Sequence, residues 1–374
     1  MIYLDNASTS YPKAIGVQQT LCHFYDSPVG SYGRSSAPHT LKRAVQMELL
    51  RDNLNQQIGG IAGNNICFCY NATTALNTII HGITNLKQHE VLVTPLEHNS
   101  VTRPLFQLDG SPFSIMPADV TGRVDINMLA SKLKDSPHSY RLAIINGMSN
   151  VNGVIQPIQA IAQCIRQHHP ACLIAVDAAQ YLPYAPLECE KWGINFVAIA
   201  AHKGYLAPTG IAALYVRNAN ELTPITRGGS GSSSETQCDS VVLPDRFEAG
   251  TINMIGACAW EAALQHLSPP TIPAEKVWEC IQELKKYGYT LYSASSPSYQ
   301  GPLFSIASPR YSAWELADLL WEKAKIMVRA GLHCAPLAHQ HLQTSGTGTC
   351  RVSLSALTPL SHLNTLCDVL QAIA

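Results

Sequence analysis

Short apolar segments alternate with amphipathic ones through the first two thirds of the chain, and this alternation limits the folds open to it. Between two of these segments, Ile155–His168 places isoleucines at the spacing of one helix face. Continuously apolar strands are typical of a parallel sheet buried on both faces. The sequence therefore predicts an open α/β sheet with right-handed crossovers. The predicted strands are Asn65–Tyr70, Glu90–Thr94, Arg141–Asn146, Cys172–Asp177, Asn195–Ala200 and Ile211–Val216.

Beyond about residue 255 the pattern changes to helices around weaker strands, which predicts a smaller α+β domain. We assign residues 15–255 to a large α/β domain, and residues 1–14 and 256–374 to the small domain. The glycine- and serine-rich segment Gly228–Ser234 predicts a mobile loop or, alternatively, an active-site lid. In the small domain, helices are predicted at Ile255–Leu267, Ala274–Tyr287, Ala313–Lys325 and Pro359–Ile373, with strands near Leu303–Ser308 and Thr349–Leu354.

The composition excludes several classes of function. The 374 residues carry a formal net charge of −1, which argues against nucleic-acid binding because that requires a basic face. No apolar run reaches the roughly 18 residues of a membrane span, and the N-terminus lacks the basic start and apolar core of a signal peptide. The 12 cysteines include no Cys-x-x-Cys pair and are too dilute for a disulfide scaffold. We therefore expect a cytoplasmic protein with reduced thiols.

Two charged residues follow two neighbouring predicted strands. Asp177 ends one strand, and Lys203, with His202 beside it, follows the next strand 26 residues later. One crossover separates them, so both lie at the sheet edge where ligands of open α/β sheets bind. Alone, such an aspartate is usually a helix cap and such a lysine is usually solvated. The pair favours pyridoxal phosphate, which forms a Schiff base with a lysine while a carboxylate holds its ring nitrogen protonated.

A phosphate-binding turn is predicted after the first strand. Asn71, Ala72 and Thr73 open a helix that extends to about His81. Backbone N–H groups and the helix dipole favour a phosphate at such a position, and threonine hydroxyls add donors. The alternative is an ordinary threonine at a helix start.

The segment AAHKGYLAPTG around Lys203 resembles the Schiff-base segment of the class V, fold-type I pyridoxal-phosphate enzymes, and in particular the cysteine desulfurases. The likeness extends over nearly the whole chain, through nine segments in the family's order. It implies a fold-type I architecture and conversion of L-cysteine to L-alanine with sulfur held on a cysteine as persulfide. The other segments are YLDNASTSYPKA, NATTALN, PLEHNS, SNVNGVIQPI, AVDAAQ, FEAGTINM, VRAGLHCAPLAH and GTCRVSLS.

The resemblance implies a role for each matched residue. No metal site is expected, because structural zinc normally requires four spaced ligands with Cys pairs and the sequence around Cys334 has none. His98 is expected to stack on the cofactor ring and Gln180 to bond its phenolic oxygen. Thr251 is expected to reach the phosphate of the neighbouring subunit's cofactor, which implies a homodimer. The implied catalytic residues are Lys203, Cys334 and His98; the cofactor-binding residues are Ala72, Thr73, His98, Asn150, Asp177, Gln180, His202, Lys203 and Thr251; the substrate-binding residues are Arg351 and Asn150.

The segment 329–334, of the form Arg-x-Gly-x-His-Cys, resembles the short-loop group of desulfurases, which implies a separate sulfur-acceptor protein. Some positions depart from the family's pattern. Ala200 replaces a phosphate-bonding serine or threonine, Thr74 an acid, and Ala207 a glycine. These departures bear on cofactor affinity.

Three alternatives stay open: a selenocysteine lyase acting on L-selenocysteine, another class V transaminase or lyase, and a non-catalytic Cys/His protein that binds sulfur or metal on a degraded fold. A transaminase would keep Lys203 and Asp177 but would need no nucleophilic cysteine, so Cys334 separates it from a desulfurase.

Overall fold

The computed structural model describes residues 1–26, 36–108, 113–136, 139–229, 235, 237–238 and 240–374. Residues 230–234 of the predicted Gly228–Ser234 loop lie outside them. The described strands are β1 Ile2–Tyr3, β2 Ile66–Cys69, β3 Glu90–Val93, β4 Phe113–Ile115, β5 Tyr140–Asn146, β6 Leu173–Asp177, β7 Phe196–Ala200, β8 Ala212–Val216, β9 Thr290–Tyr292, β10 Leu303–Ala307, β11 Ile326–Met327, β12 Arg329–Gly331 and β13 Thr349–Ser353. The described helices are α1 Val17–Tyr25, α2 Pro38–Gln57, α3 Ala72–Gly82, α4 Asn99–Gln107, α5 Ile126–Asp135, α6 Ile158–His168, α7 Cys189–Trp192, α8 Met254–Gln265, α9 Ala274–Lys286, α10 Ala313–Ala324, α11 Pro336–His341 and α12 Leu360–Ile373.

A seven-stranded sheet in the order β2-β8-β7-β6-β5-β3-β4 forms the centre of the fold. The six strands predicted from the sequence all occur in it, and β4 is an addition at one edge. β3, β4, β5, β6 and β7 run parallel, whereas β8 is antiparallel to both of its neighbours. The segment 201–211 between β7 and β8 contains no helix. Without a crossover helix the chain turns back instead of returning parallel.

Both faces of this sheet are buried, as the continuously apolar strands predict. On β6, Ile174 and Val176 face the core that includes α6, while Leu173 and Ala175 face the core that includes α3. Successive side chains of a strand point to opposite faces, so β6 contributes to both cores. Among the described residues, no helix combines the length and the apolar character needed to cross a membrane.

A second sheet, antiparallel in the order β12-β13-β10-β9, lies in the C-terminal part of the chain. α9, α10 and α12 contribute to its core, and β1 pairs with β11 beside it. Trp260 of α8 is buried in the core next to the large sheet. The division of the chain into domains near residue 255 stays a prediction.

A buried ion pair connects α2 to the segment that precedes α8. Arg51 and Glu248 form a two-pronged contact, with Nη1–Oε1 at 2.7 Å and Nη2–Oε2 at 2.9 Å. Glu248 also accepts the backbone N–H of Phe68 at 2.6 Å, and the guanidinium lies 4.2 Å from the Phe68 ring centroid. Burial raises the pKa of Glu248, and the charge of Arg51 opposes that shift. Each ion therefore depends on the other for its burial.

We expect Glu248→Ala to lower the free energy of unfolding by about 3–5 kcal/mol, because it removes the buried two-pronged carboxylate partner of the Arg51 guanidinium. Glu48→Gln is the matched control, since Glu48 is the half-exposed partner of the same arginine, at 3.4 Å, and should cost less than about 1 kcal/mol. Urea denaturation at one fixed protein concentration measures both. Equal losses of unfolding free energy in the two variants would show that the buried pair of Arg51 with Glu248 is no more stabilising than the half-exposed one with Glu48.

Candidate active site

A cavity of about 200 Å³ opens at the carboxyl ends of β5, β6 and β7. It brings together eight of the eleven residues predicted for the site. Cys334, Arg351 and Thr251 do not line it. The lining residues are Asn71, Ala72, Thr73, His98, Ser100, Asn146, Met148, Asn150, Asp177, Ala179, Gln180, Ala200, His202 and Lys203.

The carboxylate and the amine at this edge act on each other electrostatically. Asp177 ends β6, and its Oδ1 accepts the backbone N–H of Ala179 at 2.9 Å. Burial raises the pKa of Asp177, opposed by that hydrogen bond and by the charge of Lys203. Burial lowers the pKa of Lys203 to about 8, and Asp177 limits the shift. The site thus holds a lysine that loses its proton readily and a carboxylate whose ionised form is favoured, against burial, by the Ala179 N–H and by the charge of Lys203.

The start of α3 forms the opposite wall. Asn71 caps the helix, its side chain accepting the N–H of Thr74 at 2.8 Å. Among the described residues, the N–H groups of Ala72 and Thr73 have no hydrogen-bond acceptor. The Oγ1 of Thr73 lies 2.7 Å from the Oγ of Ser100. A helix start with free N–H donors and hydroxyls beside it suits a phosphate.

Ala200 lies in the wall of the same cavity, at the position where the family pattern has a hydroxyl. Ser100, which the sequence analysis did not single out, adds a hydroxyl to this wall. A spacing argument cannot find it, because 27 residues separate Ser100 from its partner Thr73.

His98 begins α4 and is held by its own helix. Its Nδ1 accepts the backbone N–H of Ser100 at 3.1 Å and lies 2.8 Å from that residue's Oγ. Burial, together with the charge of Lys203, lowers the pKa of His98 to about 4. The ring is therefore neutral near pH 7 and carries its proton on Nε2, because Nδ1 acts as an acceptor.

Several polar atoms around the cavity are buried and have no partner among the described residues, including Asn150 Oδ1 and His202 Nδ1. Gln180, in contrast, donates to the Ala7 carbonyl oxygen at 2.7 Å. Buried polar atoms rarely stay unpaired in a folded protein. Together with the helix start, the lysine and the carboxylate, these atoms fit a ligand with a phosphate, a ring nitrogen and further polar groups. Pyridoxal phosphate has this composition.

The backbone around Cys334 is held in an unusual conformation. His333 and Cys334 have φ values of 49° and 57°, in the left-handed region that residues other than glycine seldom adopt. Asn150 Nδ2 donates to the His333 carbonyl oxygen at 2.7 Å, and Asn99 N–H donates to that of Cys334 at 2.8 Å. The thiol is exposed, and Arg329 Nη2 lies 3.3 Å from its sulfur. The two hydrogen bonds to the backbone carbonyl oxygens fix the place on the protein surface at which the Cys334 sulfur is exposed.

Cys334 lines a second cavity of about 370 Å³. This cavity shares Thr73, His98 and Ser100 with the cavity around Lys203. The thiol and the lysine therefore lie on either side of a common wall.

Arg351 on β13 is buried beside Asn150. Its Nη1 donates to the Asn150 carbonyl oxygen at 3.0 Å, and its Nη2 donates to Asp5 Oδ1 at 2.7 Å. Its Nε is buried without a partner among the described residues. Burial lowers the pKa of Arg351 while Asp5 raises it, and the guanidinium stays charged. A free N–H on a fixed guanidinium suits a carboxylate. Asp5, near the N-terminus, was not predicted as a site residue, because 346 positions separate it from Arg351 in the sequence.

Thr251 is exposed and lies apart from Lys203 within one chain. It lines a different cavity, together with Thr74 and Cys69, close to the start of α3. Its predicted role at a second subunit's cofactor stays a prediction.

Two histidines lie close to each other in the segment that follows β12. The rings of His333 and His339 lie 5.5 Å apart, and both side chains are buried. Nevertheless, no group of three or more His, Cys, Asp or Glu side chains in the described part of the chain is arranged to hold a metal ion.

Comparisons of the sequence identify its family and several similar proteins. The family model for aminotransferase class-V matches residues 2–366. A probable cysteine desulfurase of Methanothermobacter thermautotrophicus is 27% identical over 390 residues, covering 100% of this chain and 94% of the relative. Another, of Vibrio cholerae, is 29% identical over 373 residues, covering 94% and 88%.

Solved structures share the fold. A cysteine desulfurase from Thermococcus onnurineus superposes with a TM-score of 0.89 at 24% identity, covering 100% of this chain and 94% of the other. One from Escherichia coli gives 0.84 at 23% identity, covering 99% and 94%. The fold predicted from the sequence, a fold-type I α/β architecture with a mostly parallel large sheet, is confirmed, and so is the family resemblance. The chain belongs to the aminotransferase class-V family.

Proposed function

We propose that this protein is a pyridoxal-phosphate-dependent cysteine desulfurase, which converts L-cysteine to L-alanine and receives the sulfur on Cys334 as a persulfide. The observation that carries the proposal is the exposed Cys334 thiol, separated by one shared wall from the cavity of Lys203 and Asp177. A transaminase needs the lysine and the carboxylate but not the thiol. The names of the similar proteins, at 26–29% identity, support the same activity.

The residues around the first cavity would hold the cofactor. The N–H groups of Ala72 and Thr73 and nearby hydroxyls would bind the phosphate, and Asp177 would face the ring nitrogen. His98 would stack on the ring, with Asn150, Gln180 and His202 at its polar edges. When bound, pyridoxal phosphate supplies an electron sink for negative charge at the substrate Cα.

Lys203 would accept the substrate proton, and His98 would stay neutral against the cofactor ring. A pKa of about 8 for Lys203 leaves an appreciable neutral fraction at neutral pH, so that Nζ can take the Cα proton once the substrate is bound. His98 carries its proton on Nε2 and is neutral, which allows it to lie against an aromatic ring without adding a charge.

Cys334 would act on the substrate sulfur. Its thiolate would attack that sulfur, so that a new S–S bond forms and the Cβ–S bond of the substrate breaks. The electron pair of the broken bond would stay with Cβ, which takes up a proton and leaves as the methyl group of L-alanine, while the transferred sulfur becomes the outer atom of the persulfide. Arg351 would hold the substrate carboxylate through its Nε–H, which has no acceptor among the described residues. L-Selenocysteine fits the same contacts, and a selenocysteine lyase remains the alternative activity. The homodimer, the sulfur-acceptor protein and the cytoplasmic location stay predictions.

We expect borohydride treatment of the cofactor-loaded enzyme to bleach its visible absorption and fix the cofactor on Lys203. Peptide mass spectrometry locates the adduct. Lys13 is the informative competitor, because burial also lowers its pKa to about 8, although it does not line the cavity. Lys203→Ala should abolish the adduct and Lys13→Ala should leave it. An adduct on Lys13, or none on any lysine, would disprove the cofactor assignment.

We expect Cys334→Ala to keep the spectral change on L-cysteine binding but to lose alanine and sulfide release together, by roughly a thousandfold or more. The reason is that Lys203 acts on the Cα proton and Cys334 only on the sulfur. Cys22→Ala, which removes another exposed thiol, should leave both products unchanged. Retained release of sulfide from L-cysteine by Cys334→Ala would favour the general lyase instead.

We expect Thr251→Ala to weaken cofactor retention and dimerisation together, because a residue that binds the neighbouring subunit's phosphate links the two equilibria. Analytical ultracentrifugation with and without pyridoxal phosphate gives the dimer dissociation constants. In the wild type the cofactor should tighten the dimer, and in Thr251→Ala that effect should shrink. Identical constants with and without cofactor in the wild type would refute the coupling.

A further inference from the structure

Two arginines lie directly opposite each other on the antiparallel strands β12 and β13. Arg329 pairs in register with Arg351, so the two side chains emerge from the same face of the sheet. Like charges at such a position repel each other, and the charge of Arg329 is one of the influences that lower the pKa of Arg351. Keeping both guanidinium groups in place therefore requires a counter-charge and fixed hydrogen bonds.

The N-terminal segment supplies both. Asp5 Oδ1 accepts hydrogen bonds from Arg351 Nη2 at 2.7 Å and from Ser8 Oγ at 2.8 Å. Ser8 Oγ in turn accepts from Arg351 Nη2 at 2.9 Å and from Arg329 Nη1 at 3.0 Å. A serine hydroxyl has one proton to donate and two lone pairs. Ser8 thus uses its whole hydrogen-bonding capacity in this cluster, which fixes its orientation.

The bond from Ser8 acts on the sulfur through one rigid group. Ser8 binds Arg329 Nη1, and Nη2 of the same guanidinium lies 3.3 Å from Cys334 Sγ. Because the guanidinium is planar and rigid, holding Nη1 also fixes the direction of Nη2. A cation at this distance stabilises negative charge on the sulfur, the form in which a cysteine is nucleophilic.

We propose that Ser8 is a positioning residue: its hydroxyl holds Arg329 against Cys334 and joins that arginine to Arg351. One side chain from the start of the chain thereby sets the relative placement of the sulfur nucleophile and the guanidinium that faces the substrate carboxylate. This assignment rests on the proposed desulfurase function, because the sulfur nucleophile and the carboxylate site are those of that reaction. The contact between Arg329 and Cys334, however, is present without substrate and affects the free thiol.

The test is the rate at which iodoacetamide alkylates Cys334 in the cofactor-loaded enzyme without substrate, followed by mass spectrometry of its peptide. Ser8→Ala removes the acceptor of Arg329 Nη1. We expect alkylation to slow by about tenfold, the scale of one lost hydrogen bond to a charged group. The exposed thiol of Cys22 is the internal reference and should react at an unchanged rate. Ser8→Thr, which keeps the hydroxyl, should restore the rate at Cys334.

Ser10→Ala is the matched control, because Ser10 belongs to the same segment but bonds to the His202 carbonyl oxygen at 3.0 Å instead of to either arginine. It should leave alkylation of Cys334 unchanged. An unchanged rate in Ser8→Ala, or an equal loss in Ser10→Ala, would overturn the positioning role.

Steady-state kinetics with L-cysteine separate the two proposals. We expect Ser8→Ala to raise KM, because Arg351 loses a hydrogen bond that orients it, and to lower kcat, because Cys334 is less reactive. A wild-type enzyme that forms no alanine from L-cysteine would overturn the proposed function. The difference in alkylation between Ser8→Ala and Ser10→Ala would still decide the positioning role.

Discussion

The mutual dependence of Lys203 and Asp177 is the constraint on which the rest of the site is built. Each group is unfavourable as a buried ion. Burial raises the pKa of Asp177 and lowers that of Lys203, which favours the uncharged form of both. Their attraction offsets part of that cost because the strands β6 and β7 end side by side. Such an arrangement needs a parallel sheet covered on both faces, so that the strand ends are shielded while their edge stays open.

The second sheet completes the site with groups of a different kind. It contributes a thiol at the surface and two arginines on adjacent strands, and the N-terminal segment lies between them. Asp5 balances part of this positive charge. In the proposed mechanism, the large sheet would therefore provide the acid–base chemistry, and the small sheet and the first residues of the chain would provide the nucleophile and the carboxylate site.

Sequence patterns predicted what depends on local periodicity and chain order. The strands of the large sheet and the placement of Asp177 and Lys203 at one edge follow from apolar runs and a single crossover, and in the structure both residues line the same cavity. The reversed direction of β8 depends on a connection without a helix, which periodicity alone does not report. Ser8 and Ser100 were not predicted, because the partners that bring their hydroxyls into the site come from distant segments: the two arginines for Ser8 and Thr73 for Ser100. Thr251 lies apart from Lys203 in a single chain, and its predicted role involves a second subunit.

The left-handed backbone at His333 and Cys334 has a consequence for how sulfur would leave the enzyme. Hydrogen bonds tie the carbonyl oxygens of these two residues to Asn99 at the start of α4 and to Asn150 in the segment after β5. The chain therefore cannot extend outward without breaking both hydrogen bonds and leaving the conformation that they maintain. A sulfur atom loaded there would stay within about one side-chain length of the protein surface. A molecule that accepts this sulfur would then have to bring its own accepting group to the Cys334 surface. The shape of that molecule, rather than movement of the Cys334 segment, would decide which molecules receive the sulfur.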